Sequence, residues 1–397
     1  MILTHDGMGM SHAVRSLALA YELTRAFQKS SVLLLTDLPI IGKLHLPPCV
    51  DYIHLPAVIQ TDTEELQVRH LNIKAKRALR IRHKIIHGAV KAYKPHLLLI
   101  DRDPGLMPEE SHKILTDVQK IRPRCRRIWC LPDSCGEPSF VASWWNKNKI
   151  YELLEHHVDE LWIMGKRDLF DLPFHYRFSN RLRAKSFFMG YPDLVKSRKT
   201  SHTSVSSSFA TEQDGPIILL TCGSGHHAFS LANVYLDMVQ EMVPTTPVYS
   251  VIVTGLMIPE QARKKLKKKA KTLRNLQVHR FTKRMIGYMK SADVVIHTGG
   301  FNYFCETRSL SKRTLVVPEP LDSGEPGHRT NLLTSAGWAS GILEKPWDAS
   351  QFASMLDEIL HKKVGDPSSQ PDTEVPLDGY RNILTRIRTI MSFRNAA

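Results

Sequence analysis

The chain has 397 residues, 42% of them apolar and 23% charged, a composition that fits a folded globular protein and leaves little room for long disorder. Its formal charge of +15 at neutral pH calls for an acidic partner (a nucleotide, a nucleic acid or an anionic membrane face), and composition does not choose among them. A length near 400 residues exceeds one ordinary core and points to two or three domains, and no apolar run approaches the roughly 20 residues of a membrane-crossing helix.

The first element is a very short strand, "MILT", which turns into a helix through "HDGMGMSH". Gly7, Gly9 and Ser11 leave almost no bulk in that turn, so a ligand close to the backbone is the functional reading and plain turn geometry the alternative. The helix runs from about Ser11 to Gln28, with Val14, Leu17, Ala18, Tyr21 and Leu23 as its apolar stripe. "SVLLLT" and "VDYIHL" read as strands, followed by a long basic helical stretch from Thr63 to Tyr93. "HLLLID", a helix near Glu109–Ile121, "RRIWCL" and "DELWIM" continue the alternation, which predicts βαβ units and a parallel sheet covered on both faces.

The Ser/Thr-rich segment Ser197–Gly215 breaks this rhythm and reads as a linker. Beyond it the alternation restarts with "PIILLTCGSG", a helix from about Phe229, "VYSVIVTG", a basic helix over Gln261–Asn275, "ADVVIHTGG", a further helix, "TLVVPEP" and a helix near Arg329. A polar stretch, Gly365–Glu374, precedes a last helix over Leu377–Phe393, whose Leu377, Tyr380, Ile383, Leu384, Ile387 and Ile390 form a stripe at helical spacing. The expected organisation is a Rossmann-like domain over 1–196, a linker over 197–215, a second Rossmann-like domain over 216–375 and a terminal helix over 376–397.

Four glycine-bearing turns, "HDGMGMSH", "CGSGHH", "VTGLMI" and "HTGGFN", fall at the carboxyl ends of predicted strands, where α/β sheets bind ligands. Turns that open helices offer free backbone N–H groups and a favourable dipole to phosphate. In "HTGGFNYFCETRSLSKRTLVVPEP", Gly299 and Gly300 end a strand, Asn302 begins the helix and Glu306 follows. Glu306 either accepts hydrogen bonds from ribose hydroxyls or, in a first helical turn, complements the helix dipole. Glu325, His328 and Arg329 follow a Pro/Gly-rich loop that can reach a sugar or a phosphate. Of the 19 histidines none forms an H-E-x-x-H motif, and the doublets His156-His157 and His226-His227 read as surface residues, so no metal site and no cofactor is expected. The six cysteines show no C-x-x-C pair, and no basic stretch leads into an apolar one at the start, so a reduced cytoplasmic location is expected.

These stretches resemble the GT-B glycosyltransferases of the MurG-like branch. "GMSHAVRSLALAYEL" is similar to the branch's N-terminal G-x-G-H-x-x-R-x-L-x-L-A signature, and the "HTGGFN…VVPEP" stretch to its donor-site pattern G-G-x-N-T-x-x-E-x-L-x-x-G-K-P-x-L-x-V-P. "LLTCGSG" stands where the branch has its glycine-rich phosphate loop, and "LIDRDPGLMPEE" with "LPDS" and Trp144 resembles a subgroup of predicted glycosyltransferases. The resemblance implies two Rossmann-like domains facing across a cleft, with the terminal helix packed back on the N-terminal domain. It implies Gly9 and His12 on the acceptor side, Gly223, Ser224 and Gly225 at a donor diphosphate, and Gly299, Gly300, Asn302 and Glu306 at the nucleotide; Glu325 and Arg329 match donor-loop positions. Ser11 replaces a glycine of the signature, and Pro326 stands where an acidic-Gln pair is usual.

The activity so implied moves a sugar from a nucleoside-diphosphate sugar, UDP-linked by expectation, to a hydroxyl acceptor, either a small molecule or lipid-linked. It is expected to invert the anomeric centre and to need no metal, because helix N-termini take the charge of the leaving phosphates. His12 is the expected base, oriented by a carboxylate such as Asp103 or Asp133, with His5 and Asp6 as acceptor contacts; the alternative is a structural His12 at a helix start. A nucleotide-sugar hydrolase or 2-epimerase on the same fold is the rival activity. Nucleic acid is not expected as a partner, since no helix-turn-helix, RNP or aromatic-interleaved basic motif is present. The lysines of Gln261–Asn275 read as a solvated face, with membrane contact at most peripheral.

Overall fold

The computed structural model describes residues 1–6, 9–60, 65–197, 215–225, 227–242, 248–273, 275–319, 324–361 and 376–395. The expected linker, apart from its end residues Ser197 and Gly215, lies outside the described residues, as do Gly7, Met8 and His226. The chain divides into two compact units, Met1–Pro192 with Pro376–Ala397, and Asp193–Val375. Residues just past Pro192 go with the second unit for a physical reason: Asp193 accepts a 2.8 Å hydrogen bond from Ser309 Oγ, and Val195 packs beside Leu219, Val251 and Met289.

The first unit is built on a parallel sheet of seven strands: β1 (Ile2–Thr4), β2 (Val32–Thr36), β3 (Val50–His54), β6 (Leu97–Asp101), β7 (Arg126–Pro132), β8 (Glu160–Met164) and β9 (Ser186–Phe188), in the order β3-β2-β1-β6-β7-β8-β9. Its strands are near-continuous apolar runs because helices cover both faces; Trp129 and Trp162 are fully buried on β7 and β8. The three residues of β1 suffice for a central strand, since Ile2 and Leu3 pair with β2 on one side and β6 on the other.

The stretch read as one long basic helix is two structures. An antiparallel hairpin, β4 (Val58–Gln60) with β5 (Leu66–Val68), comes first, and the helix spans only Ala75–Tyr93. Val58, Leu66 and Val68 pack with Ala78 and Met107, so tertiary burial of alternating side chains overrides the helical composition of the segment. The last helix, Gly379–Asn395, belongs to the first unit: Ile383 and Ile387 are buried, Tyr380 donates a 2.7 Å hydrogen bond to the Arg15 carbonyl, and Arg386 grips Glu160 with two 2.9 Å bonds.

The second unit carries β10 (Ile217–Thr221), β11 (Tyr249–Val253), β12 (Leu276–His279), β13 (Val294–His297), β14 (Arg313–Val316) and β15 (Gly341–Ile342), all parallel, in the order β12-β11-β10-β13-β14-β15. This is the order of a dinucleotide-binding Rossmann sheet. One core joins Ile218 and Leu220 of β10 to Leu231, Tyr235 and Phe352 of the flanking helices. The basic helix Glu260–Ala270 docks through buried Leu266 and Ala270, while Lys264, Lys265, Lys267 and Lys268 stay exposed.

Candidate active site

In each unit the strand order reverses beside the first strand, between β1 and β6 and between β10 and β13. The crevice at the carboxyl ends of such a pair is where open α/β sheets bind their ligands. In the first unit, β1 leads there into His5 and Asp6, both 4% exposed, and then into the helix Ser11–Ala26. Asp6 caps that helix from outside it: its carboxylate accepts the His12 N–H at 2.9 Å and the Ala13 N–H at 2.7 Å. Burial raises the Asp6 carboxyl to about 6, against the lowering effects of His12 and of these amides. Asp6 is therefore a structural cap, and Gly9 closes the turn by donating to the Asp6 carbonyl at 3.2 Å.

The cap sets His12 on the first helical turn with its side chain partly exposed. Its Nδ1 lies 2.9 Å from Asp101 Oδ1 and 2.7 Å from Arg15 Nη2. The tautomer protonated at Nδ1 donates to Asp101; the other accepts from Arg15. Asp101 is the last residue of β6, and it also accepts from Arg15 Nε at 2.8 Å and from Ser16 Oγ at 3.1 Å. Burial alone would raise its carboxyl, but the Arg15 guanidinium and His12 outweigh burial and hold it below the usual carboxylate range. The carboxylate at His12 is thus Asp101 and neither Asp103 nor Asp133. Asp103 lies two residues farther on, exposed, and accepts from the Gly105 N–H at 2.8 Å. Asp133 is buried and accepts from the Tyr191 hydroxyl at 3.1 Å. Asp101 is the last residue of the β6 ladder and pairs with Thr4 of β1, which places it beside the helix that follows β1, whereas Asp103 lies past the strand end.

Behind this pair lies a fully buried ionic network that the sequence concealed. Arg82, from the basic helix, binds Glu110 at 2.7 Å, Asp37 at 3.2 Å and the Pro56 carbonyl at 2.8 Å. Arg102 binds the other oxygen of Glu110 at 2.7 Å. Asp37, at the end of β2, accepts the Asp6 N–H at 2.8 Å and lies 2.5 Å from His5 Nδ1. Burial lowers the imidazole of His5, more than Asp37 raises it. His5 is therefore walled into the network and is not placed to touch an acceptor, which corrects that expectation.

In the second unit, β10 ends in a turn of backbone that only glycine tolerates. Gly223 has φ 61°, and a Cβ there would lie 2.6 Å from Thr298 Oγ1; Gly225 has φ 107°, with the Thr254 carbonyl and the Ile258 N–H both 2.8 Å from its Cβ position. The following helix begins only at Ala228, so these glycines form a turn ahead of the helix and do not open it directly. After β13, Gly299 has φ 79° and packs against Thr330 and the Pro326 carbonyl, and Gly300 directly precedes the helix Phe301–Ser309. That helix N-terminus presents backbone N–H groups at the switch point. His297, fully buried at the end of β13, is driven down to about 3 by burial, and its Nδ1 accepts from the Gly299 N–H at 3.2 Å.

Asn302 and Glu306 are both buried on this helix. Glu306 is its sixth residue, and the first turn holds no acid, so the dipole reading loses its geometry because the effect fades within one turn. Arg329 is fully buried, 2.7 Å from Glu325 and 5.6 Å from the Phe301 ring centroid. It stands on the helix Glu325–Ser335. The sequence reading missed Glu319, which follows β14 and comes within 3.4 Å of Ser224 Oγ; burial raises its carboxyl. The "PEP" run that ends the donor-like motif contains it, but only topology brings β14 beside the turn after β10.

Comparisons with known proteins bear on the fold. Residues 217–373 match the model of the glycosyltransferase family 28 C-terminal domain. No curated protein matches the chain in sequence. Among solved structures, MurG of Acinetobacter baumannii superposes with a TM-score of 0.56 at 11% identity, covering 98% of this chain and 99% of that one. The UDP-GlcNAc 2-epimerase of Neisseria meningitidis, solved with UDP-GlcNAc, gives 0.61 at 14% identity, covering 98% of this chain and 99% of that one. The UDP-GlcNAc 2-epimerase of Methanocaldococcus jannaschii gives 0.62 at 12% identity, over 98% of both chains. At such identities these likenesses speak to the fold, and the fold they share is GT-B. Residues 217–373 thus match a glycosyltransferase family 28 C-terminal domain, and the chain that carries them has the GT-B fold.

Proposed function

We propose that the protein transfers a sugar from a nucleoside-diphosphate sugar, UDP-linked in our reading, to a hydroxyl acceptor, with inversion and without a metal. The observation that carries this is the His12–Asp101 pair at the switch point of the first unit. With Nδ1–H donating to Asp101, Nε2 carries the lone pair and takes the proton of the acceptor hydroxyl. The freed oxygen attacks the anomeric carbon from the face opposite the leaving group, the C–O bond to the diphosphate breaks, and the configuration inverts. In the second unit, the turn after β10 and the helix N-terminus at Phe301 hold the leaving diphosphate, their backbone N–H groups taking up its charge. Glu306 accepts from the ribose hydroxyls.

The test is incubation with UDP-, GDP- and dTDP-sugars, with and without glycoside acceptors, in buffer containing EDTA. Acceptor-dependent release of nucleotide, with the opposite anomeric configuration in the product, is expected. The second reading draws on the epimerases that share the fold. It predicts a new nucleotide sugar formed from UDP-N-acetylglucosamine alone, and that result would replace the transferase reading.

A further inference from the structure

Two aromatic rings stand at the same end of the first unit's sheet as His12. The helix Pro138–Lys147 follows the carboxyl end of β7 and is anchored by buried Val141 and Trp145, the latter packed edge-on against Tyr151 and Tyr176. Its other face carries Phe140, 40% exposed, and Trp144, with the two ring planes within 7° of parallel and their centroids 6.5 Å apart. Trp144 lies over the loop that follows β6: a Cβ on Gly105 would be 2.5 Å from the indole Nε1 and 3.3 Å from Asp103 Oδ1. Asp103 and the indole edge therefore flank one point. Asp103 is only two residues beyond Asp101, the partner of His12, a chain distance of at most about 7 Å.

We propose that Phe140, Trp144 and Asp103 form an acceptor platform, and that the acceptor presents a carbohydrate ring to it. The proposal rests on the transferase reading and deepens it. A pyranose has one face of C–H bonds carrying slight positive charge, and such a face settles on the negative π-face of an aromatic ring. Its equatorial hydroxyls then need acceptors and donors, which Asp103 supplies beside the indole edge and Lys147 supplies from over the Trp144 ring, its Nζ 5.4 Å from the centroid. A membrane is the poorer occupant of the same surface, because the carboxylates of Asp103 and the exposed Glu137 repel anionic headgroups.

The experiment is saturation-transfer NMR on the full chain with methyl glycosides of glucose, galactose, mannose and N-acetylglucosamine, alongside calorimetric UDP binding as a check on the second unit. At least one glycoside gives ring-proton saturation in the wild type. The signal falls at least tenfold in Phe140→Ala and in Trp144→Ala and survives in Trp144→Phe, while UDP affinity is unchanged in all three. No glycoside signal in the wild type, or a signal indifferent to Phe140 and Trp144, overturns the platform. So does binding to phosphatidylglycerol vesicles that depends on these two rings in place of glycoside binding. Failure of the transferase reading is seen separately, as the absence of acceptor-dependent nucleotide release from any sugar donor, and does not depend on the NMR result.

Discussion

Asp101 Oδ1 lies 2.9 Å from His12 Nδ1, and the two residues are 89 positions apart in the chain. One ends a central strand and the other opens the helix after its neighbour, so the sheet itself holds the pair in register. Arg15 and Ser16 fix the carboxylate from the same helix, and the tautomer with a proton on Nδ1 is the one that donates to it.

From this it follows that His12→Ala lowers kcat about 10²–10⁴-fold, the ordinary contribution of a positioned base. Asp101→Asn keeps the shape but favours the wrong tautomer and lowers kcat about 10²-fold or more. Steady-state kinetics with UDP affinity as a control checks both. An Asp101→Asn enzyme with wild-type kcat would reduce the pair to a helix-start contact.

Glu306→Ala weakens UDP by about 1.5–3 kcal/mol, the cost of deleting a charged hydrogen-bond acceptor. Isothermal calorimetry reads this directly. Because Glu306 stands in the second turn, an unchanged dissociation constant leaves it a packing role, not a dipole one.

Much of this site could be read from the chain, and the rest could not for identifiable reasons. Glycines at strand ends are legible because positive φ demands them, as at Gly223 and Gly299. The choice among Asp101, Asp103 and Asp133 turns on where β6 and β7 end, since Asp101 closes its strand whereas Asp103 and Asp133 lie past theirs. Arg82 stands in a basic run, yet it is fully buried, because its partners Asp37 and Glu110 come from elements 45 and 28 positions away. Local composition carries no trace of such pairings. Glu319 was hidden in the same way, by a contact that spans 95 positions.

The Arg82–Glu110–Arg102 network gives a stability prediction with a sign. Burial would raise the Glu110 carboxyl, but Arg82 and Arg102 prevail and hold it at about 2, below its usual 4.5. Its contribution is therefore present above pH 4.5 and is lost as pH falls toward 2. Glu110→Gln takes from buried Arg102 the carboxylate it is paired with and leaves Arg82 only Asp37, and it costs about 3–5 kcal/mol near neutral pH. Urea denaturation at stepped pH values should show the gap between variant and wild type closing in acid. A gap that stays constant down to pH 2.5 would contradict this assignment.

Gly299→Ala tests the second unit's turn. At φ 79° an alanine is strained, and its Cβ would lie 2.8 Å from Thr330 Oγ1 and 3.0 Å from the Pro326 carbonyl. The left-handed conformation alone costs about 1–2 kcal/mol. The expected result is a lower melting temperature together with loss of UDP binding. A destabilised variant that still binds UDP normally would separate the turn from the phosphates.

The basic helix Glu260–Ala270 gives the last test. Leu266 and Ala270 hold it to the core, and Lys269 is tied to Asp237 and Asn233. Lys264, Lys265, Lys267 and Lys268 are exposed, and exposed charges of this kind contribute little to stability. Replacing all four by glutamine should leave the melting temperature and the turnover of a nucleotide sugar unchanged. The rival role is attraction to anionic headgroups, worth roughly 1 kcal/mol per lysine near a membrane surface. The apolar edge of this helix is already spent on its own sheet, so nothing remains to insert into lipid. Co-sedimentation with phosphatidylglycerol vesicles distinguishes the two roles: weak binding, equal in wild type and variant, is expected. Strong binding that salt abolishes and the four substitutions remove would make this helix a membrane contact.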